Sequence, residues 1–447
     1  LSDALAILLG HAGILALGLT VASLGFPEVR REGRLGRAFA LGAGAVATLL
    51  LWASVLAPGS AGAAWVAVPA LVGVLARRAA IGRALRASLT GWRRPDVASG
   101  LLLAAIALEV ALVARGALAT GLGTDGYAVW ELKAHVAYVA HGIPESYFSD
   151  RTLLWSHPEY PWLLPLDEAW FSFVRGAESL VVTKAFFPGV FGALLLLFHS
   201  GLGALPRRVR LLFTALLGAL PALERWAITG YADTLLALFW LGAVTELALF
   251  FRAGSRRSLV LGALLVVLAA STKREGLVGL GLVTAALAAA PLLGRTYREV
   301  APGAVALVLS SALVLGPWLL WLARHGVVGA DFGPVSAGLA IENRARIPRL
   351  AAALVRELGQ LPSFGLLFHA FLPCSLVLLG RRRDRASNAL LVLGVALPLA
   401  GLTGAFVFSR WPFLLHARLS LERLVLQEAP LALLVVARAF EGRRASG

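Results

Sequence analysis

Residues 122–136 read "LGTDGYAVWELKAHV" and follow an apolar run at 99–119 built mostly from Leu, Ala, Ile and Val. Asp125, Glu131, Lys133 and His135 gather here, with the aromatics Tyr127 and Trp130 among them. An acid at the mouth of a helix has two uses. As an N-cap its carboxylate accepts a backbone N–H, and Thr124 has the same capacity. As a general base it takes a proton from an attacking hydroxyl. The two are compatible, since a cap fixes the side chain in place, and Asp125 is the candidate catalytic acid. Lys133 is one of three lysines, with Lys184 and Lys273, while every other cationic side chain is arginine. A compact ammonium meets a phosphate as a point charge where arginine imposes a planar fork, so Lys133 and Lys273 are candidate phosphate ligands.

A second constellation is "WSHPEYPWLLP" at 155–165, where Pro158, Pro161 and Pro165 stiffen the chain and exclude a regular helix. His157, Glu159 and Tyr160 are therefore offered from a rigid segment between Trp155 and Trp162. Aromatic faces beside acids and hydroxyls suit a sugar ring, whose C–H faces stack and whose hydroxyls seek acceptors. The plainer reading of Trp162 and Trp170 is an interfacial aromatic belt. A His–Glu–Asp metal site lacks the spacing of a helical metal motif, so no metal is assigned. The third stretch is "STKREG" at 271–276, which sets Lys273, Arg274 and Glu275 at a turn between two short apolar runs. Ionisable groups at membrane depth face a cavity or a partner. A surface hairpin with a self-paired Lys and Glu is the alternative. Further on, "ERWAITGYAD" (224–233) offers Glu224, Tyr231 and Asp233, and "HARLSLERLVLQE" (416–428) offers Arg418, Arg423 and Glu428. Arg423 also fits an interfacial snorkeller.

The elements that must carry these residues follow from composition. The chain of 447 residues is 59% hydrophobic with mean hydropathy +0.80, far from an average soluble domain. It reads as an all-α polytopic membrane protein with about 13 transmembrane helices. They are expected near 4–25, 36–57, 61–76, 99–119, 181–201, 209–225, 231–251, 258–272, 275–293, 301–323, 363–380, 387–408 and 425–440. The first run has no basic n-region and no small-residue cleavage site, so it reads as a retained helix. Arginines crowd alternate loops: Arg30, Arg31, Arg34 and Arg37; Arg77, Arg78, Arg83, Arg86, Arg93 and Arg94; Arg207, Arg208 and Arg210. The pattern goes on at Arg252, Arg256 and Arg257, at Arg295 and Arg298, and at "RRRDR" (381–385). All fall on one side if the N-terminus is outside, which is the positive-inside rule. The net charge of +16 is then topology and not a nucleic-acid surface. Loops 120–180 and 324–362 lie outside in this topology. Each carries an amphipathic stretch, 127–141 and 346–360, that reads as a helix lying in the interface. Cys374, the single cysteine, excludes an internal disulfide and a cysteine metal site.

An early outer loop opening on Asp, interfacial helices, and later short loops with paired cations and acids resemble the GT-C glycosyltransferases. More narrowly, "DGYAVWELKA", "HPEYPWLLP", "GYAD", "TKREG" and "LSLERLVLQEAP" look like motifs of bacterial members, akin to the protein O-mannosyltransferases and lipid A aminoarabinose transferases. The resemblance covers roughly 99–430 and implies three parts. Residues 1–98 are three additional helices, 99–323 a seven-helix module with the large outer loop 120–180, and 324–447 an outer loop with three further helices. It implies an enzyme of the bacterial cytoplasmic membrane that moves a sugar, with inversion, from a polyprenyl-phosphate donor to a hydroxyl of an envelope glycan, lipid or protein. No cofactor is implied. Asp125 is the implied base or acceptor-orienting acid, and Lys133, Lys273, Arg274 or Arg423 would hold the lipid phosphate. His157, Glu159, Tyr160, Tyr231, Asp233 and Glu275 complete the expected substrate site. The family's paired acids are missing, since Gly126 follows Asp125, and Glu159 and Asp233 are the candidate partners. The competing readings are a lipid-linked-sugar flippase or transporter, which calls for charges inside helices, and a polysaccharide polymerase or ligase.

Overall fold

Long apolar runs in which backbone groups bond within their own segment give helix from end to end. A computed structural model describes residues 1–25, 33–89, 95–329 and 331–441. Among these, every regular element is helical, and the one strand-like pairing is an antiparallel bridge between Phe332 and Ser409. The chain opens with α1 (Asp3–Gly25), α2 (Arg34–Leu56), α3 (Ala63–Leu89) and α4 (Val97–Ala119). The 120–180 segment holds α5 (Leu132–Val139) and α6 (Leu163–Arg175). Then come α7 (Phe186–Gly201), α8 (Arg207–Gly218), α9 (Pro221–Ala227), α10 (Asp233–Ala253), α11 (Arg256–Thr272) and α12 (Gly276–Ala288). Tyr297–His325 forms α13, interrupted by a π-turn at Ser311–Leu315. The remainder holds α14 (Ile347–Leu358), α15 (Leu367–Leu379), α16 (Arg385–Ala405) and α17 (Phe413–Ala439).

By length and composition, eight spans among the described residues are able to cross a membrane: Asp3–Gly25, Arg34–Leu56, Ala63–Arg83, Val97–Ala119, Leu180–Gly201, Asp233–Ala253, Tyr297–His325 and Arg385–Phe408. The chain is a membrane protein on that ground. The other five expected spans take different forms. Residues 209–225 break into α8 and α9 because Pro221 has no N–H to continue the helix. The 17-residue α11 and the 13-residue α12 and α15 fall short of the roughly 20 residues of a full crossing. Residues 425–440 are the second half of α17, a 27-residue helix.

Helix α10 is the centre of the bundle, buried among α7, α11, α16 and α17. The first three helices join it through α2, which packs on α6 and α7. A buried ion pair secures this join: Arg37 on α2 meets Glu246 on α10 at 2.6 Å, and Arg37 Nη1 donates to Ser200 Oγ at 3.0 Å. Glu246, a charge inside a membrane helix, is thereby neutralised within the bundle. Arginines gather at the C-terminal end of α10, where Arg252 faces Asp384 at 3.5 Å and Arg295 bonds the Phe250 and Phe251 carbonyls. Asp233 opens the same helix at its other end, roughly 30 Å away. Arg30, Arg31, Arg93 and Arg94 lie outside the described residues.

The two amphipathic stretches are helical, and each packs part of one face on the bundle. Leu350 of α14 is buried, with Ala353 and Leu354 packed beside it, against Leu402, Phe406, Leu421 and Leu424 of the bundle, while Ile347 and Val355 are exposed. In the other, a π-turn at Gly126–Glu131 precedes α5. The extra residue in that turn rotates the next helical segment by about 100° relative to an unbroken α-helix. Tyr127 consequently turns outward, and Val129, Trp130, Lys133, Ala134 and Ala137 form the buried stripe, with α5 packed on α6. Trp162 and Trp170 are also buried rather than belted at a surface, and Trp170 Nε1 donates to the Gly10 carbonyl at 3.0 Å.

Candidate active site

Glycines let the "GTDG" stretch lie flat against the α9–α10 connection. A Cβ on Gly126 would strike the Thr229 carbonyl and one on Gly123 the Tyr231 ring, while Gly123 N–H donates to the Thr229 carbonyl at 2.9 Å. This close approach brings Asp125 to Tyr231, whose hydroxyl accepts the Asp125 backbone N–H at 3.2 Å. The Asp125 side chain makes no capping bond. Its Oδ2 instead accepts from Arg423 Nη1 at 2.5 Å, across 298 residues of sequence. The guanidinium sits over the Tyr231 ring at 4.8 Å and the Trp226 ring at 5.6 Å, so Arg423 is an element of the site and not a snorkeller. Burial opposes its charge, and Asp233 and Asp125 more than restore it, leaving the Arg423 pKa raised.

Asp233 and "STKREG" meet directly below. Asp233 is fully buried, and its Oδ1 accepts from Lys273 Nζ at 3.0 Å and from Gln427 Nε2 at 2.6 Å. Lys273 also pairs with Glu275 at 2.7 Å. The turn is tight because Gly276 packs on the Ala269 carbonyl, where a Cβ has no room. Arg274 points the other way and is exposed. Its Nη1 and the Glu159 Oε1 both border Gly329. Among the described residues Arg274 is the cation of this cluster that makes no ion pair.

The "HPEY" segment closes the site on a third side. His157 Nδ1 lies 3.1 Å from Glu159 Oε1 and 3.7 Å from Asp331 Oδ2, and its ring stacks on Tyr160 at 4.9 Å. Burial works against the imidazolium, but the bond to Glu159 and the charges of Glu159 and Asp331 outweigh it and raise the His157 pKa. Asp331 is held in turn by Trp411 Nε1 at 2.9 Å. Tyr160 feels Glu275 and Arg274 as well as Glu159, which joins this segment to "STKREG". Burial pushes the Tyr160 hydroxyl up, so it remains a neutral donor.

Asp125, His157, Glu159, Tyr160, Tyr231, Asp233, Lys273, Arg274, Glu275 and Arg423 therefore form one connected cluster drawn from five stretches of chain. Lys133 is placed otherwise. It is fully buried and directs its ammonium to the His157 carbonyl at 2.7 Å. Lys184 likewise turns inward, to the Thr120 carbonyl. Glu224, Arg418 and Glu428 stand apart: Glu224 lies beside Glu109, Glu428 accepts from Trp240 Nε1 at 2.9 Å, and Arg418 is exposed. Three members are not legible in the sequence reading. Gln427 lies one helical turn beyond Arg423, a spacing that places both on one face of α17. Asp331 and His416 carry no such signal, since tertiary folding alone brings His416 within the field of Asp331 and Arg423. Among the described residues no group of three His, Cys, Asp or Glu side chains is placed to hold a metal ion. Set against family models, curated proteins and solved structures, the chain matches none.

Proposed function

We propose that the chain is an integral membrane glycosyltransferase of the GT-C type, using a polyprenyl-phosphate sugar and a hydroxyl acceptor from a glycan, lipid or protein. The observation that carries this reading is the convergence of Asp125 on Arg423, beside the Lys273–Asp233 pair at one end of an apolar bundle, with aromatic and acidic side chains around it. Arg274 and the outward edge of Arg423 receive the lipid phosphate. As the anomeric C–O bond breaks, these cations stabilise the charge that builds on the departing phosphate. Asp125 accepts the proton of the acceptor hydroxyl as its oxygen attacks the anomeric carbon, which inverts the centre. Lys273 is already committed to Asp233 and Glu275, so its part is to hold those acids in place rather than to bind the donor. His157, Glu159 and Tyr160 orient the sugar.

On this reading the site faces the outside of the bacterial cytoplasmic membrane, with the arginine-rich end in the cytoplasm and the N-terminus outside. Helices α8 with α9, α11, α12, α15 and the end of α17 complete about 13 membrane segments. The 99–323 module carries Asp125 and Arg274, α17 adds Arg423 to it, and α14 lies along the outer leaflet.

Purified protein in vesicles, offered a panel of polyprenyl-phosphate hexoses and pentoses with envelope extract, should release free polyprenyl phosphate, detected by mass spectrometry. Arg274→Ala should weaken binding of polyprenyl phosphate about tenfold or more, the loss of one charge-assisted contact of roughly 1.5–3 kcal/mol. Absence of both donor consumption and polyprenyl phosphate binding in the unmodified protein would end the proposal. One observation favours a transporter instead. The Glu109 and Glu224 carboxyls lie side by side near the break between α8 and α9, and broken helices with acids at membrane depth are a transporter feature. Movement of lipid-linked sugar across vesicles without consumption would select that reading.

A further inference from the structure

His157 holds a backbone conformation that side chains normally avoid. Its φ is 55°, and among the described residues only His141 shares a positive φ without being glycine. Such strain persists where the surroundings impose it, and it gathers at functional sites. Here the surroundings are Lys133. Its Nζ donates to the His157 carbonyl at 2.7 Å and lies 3.5 Å from the Tyr160 carbonyl. The rings of Trp130, Tyr160 and Trp162 enclose it at 5.5, 5.6 and 5.9 Å. Among the described residues no carboxylate bonds this ammonium; Glu159 reaches it only through space. Burial without a bonded counter-ion is costly for a charge and pushes the Lys133 pKa down to about 7. An apolar side chain would fill this place without that cost, so the ammonium is kept for the two carbonyls it gathers.

We propose that Lys133 is a positioning residue: its buried ammonium fixes the 157–160 segment so that the His157 imidazole stays between Glu159 and Asp331. The inference rests on the transferase reading for the use made of that imidazole. One donor sets both the strained residue and the ring stacked beneath it. Five groups face His157: Glu159 and the stacked Tyr160 from its own segment, Asp331 from the strand-like stretch before α14, Lys133 from α5 and His416 from α17.

The test reads the imidazole directly and needs no turnover, so its failure is separable from failure of the transferase reading. Full-length protein in detergent, labelled with ¹³C at histidine Cε1, is titrated by NMR, with the His157 signal identified by its loss in His157→Gln. Lys133→Met removes both the charge and the donor. Loss of the charge alone raises the His157 midpoint, because Lys133 opposes the imidazolium. Loss of alignment with Glu159 and Asp331 lowers it toward the ordinary value near 6.5. The proposal expects the fall, and a rise overturns it. Lys133→Gln retains an uncharged donor, so its midpoint should match or exceed that of the wild type. A fall in Lys133→Gln overturns the proposal even where Lys133→Met does not fold.

Discussion

Replacing Asp125 with Asn separates proton acceptance from everything else that this carboxylate does. The asparagine amide would keep an oxygen to accept from Arg423, and the cation would keep its places over Tyr231 and Trp226. What is lost in stability is the difference between a charge-assisted and a neutral hydrogen bond, about 1 kcal/mol. The Asp125 side chain is 41% exposed, so solvent screening takes the loss toward the lower end of that figure. Thermal unfolding in detergent should therefore shift by only about 2 °C or less. Turnover should fall by roughly a hundredfold or more, equivalent to about 2.7 kcal/mol on the barrier, because Asn cannot take the acceptor proton. The two effects differ enough in size to be told apart. Donor consumption is followed by release of polyprenyl phosphate, with unfolding and polyprenyl phosphate binding measured in parallel. Near wild-type turnover in Asp125→Asn would refute the assignment. Glu159 would then be the acid to test, since Asp233 is fully buried and held by Lys273 and Gln427.

Three further outcomes are expected. Arg37→Ala leaves Glu246 buried without its cation and should destabilise the fold by about 3–5 kcal/mol in thermal unfolding, whereas Arg37→Leu combined with Glu246→Leu should be close to neutral. Burial raises the Glu131 pKa to about 7, so its protonated form favours the folded state and that contribution is lost as pH rises from the unfolded value near 4.5 through 7. Glu131→Gln should flatten this decline in unfolding temperature, and an unchanged pH slope would count against it. In a Cys374→Ser background, cysteines placed at 150 and 340 should be labelled in intact cells by an impermeant reagent and one at 80 should not; the reverse pattern would invert the proposed topology.

Hydropathy and local spacing already determine the class of this protein and the segments that meet in its candidate site. A long apolar run has to bond its own backbone, so helices are legible wherever such runs occur. Each of "GTDG", "HPEY", "GYAD", "STKREG" and the Arg423 stretch stands out because ionisable residues are costly beside apolar ones. Partnership is another matter. Asp125 and Arg423 are 298 residues apart, and no periodicity relates them. The side of α5 that is buried is equally hidden, because periodicity puts Lys133 on the face of Trp130 and Ala137 but cannot say that this face packs inward, where the ammonium meets the His157 carbonyl. The lengths of several helices are hidden for the same kind of reason: Pro221 divides one apolar run, and α12 and α15 stop short within theirs. Sequence sets what each segment can bury and which charges it must carry. Tertiary packing sets which charge meets which, since the energy of a buried ion depends on the partner brought within a few ångströms of it.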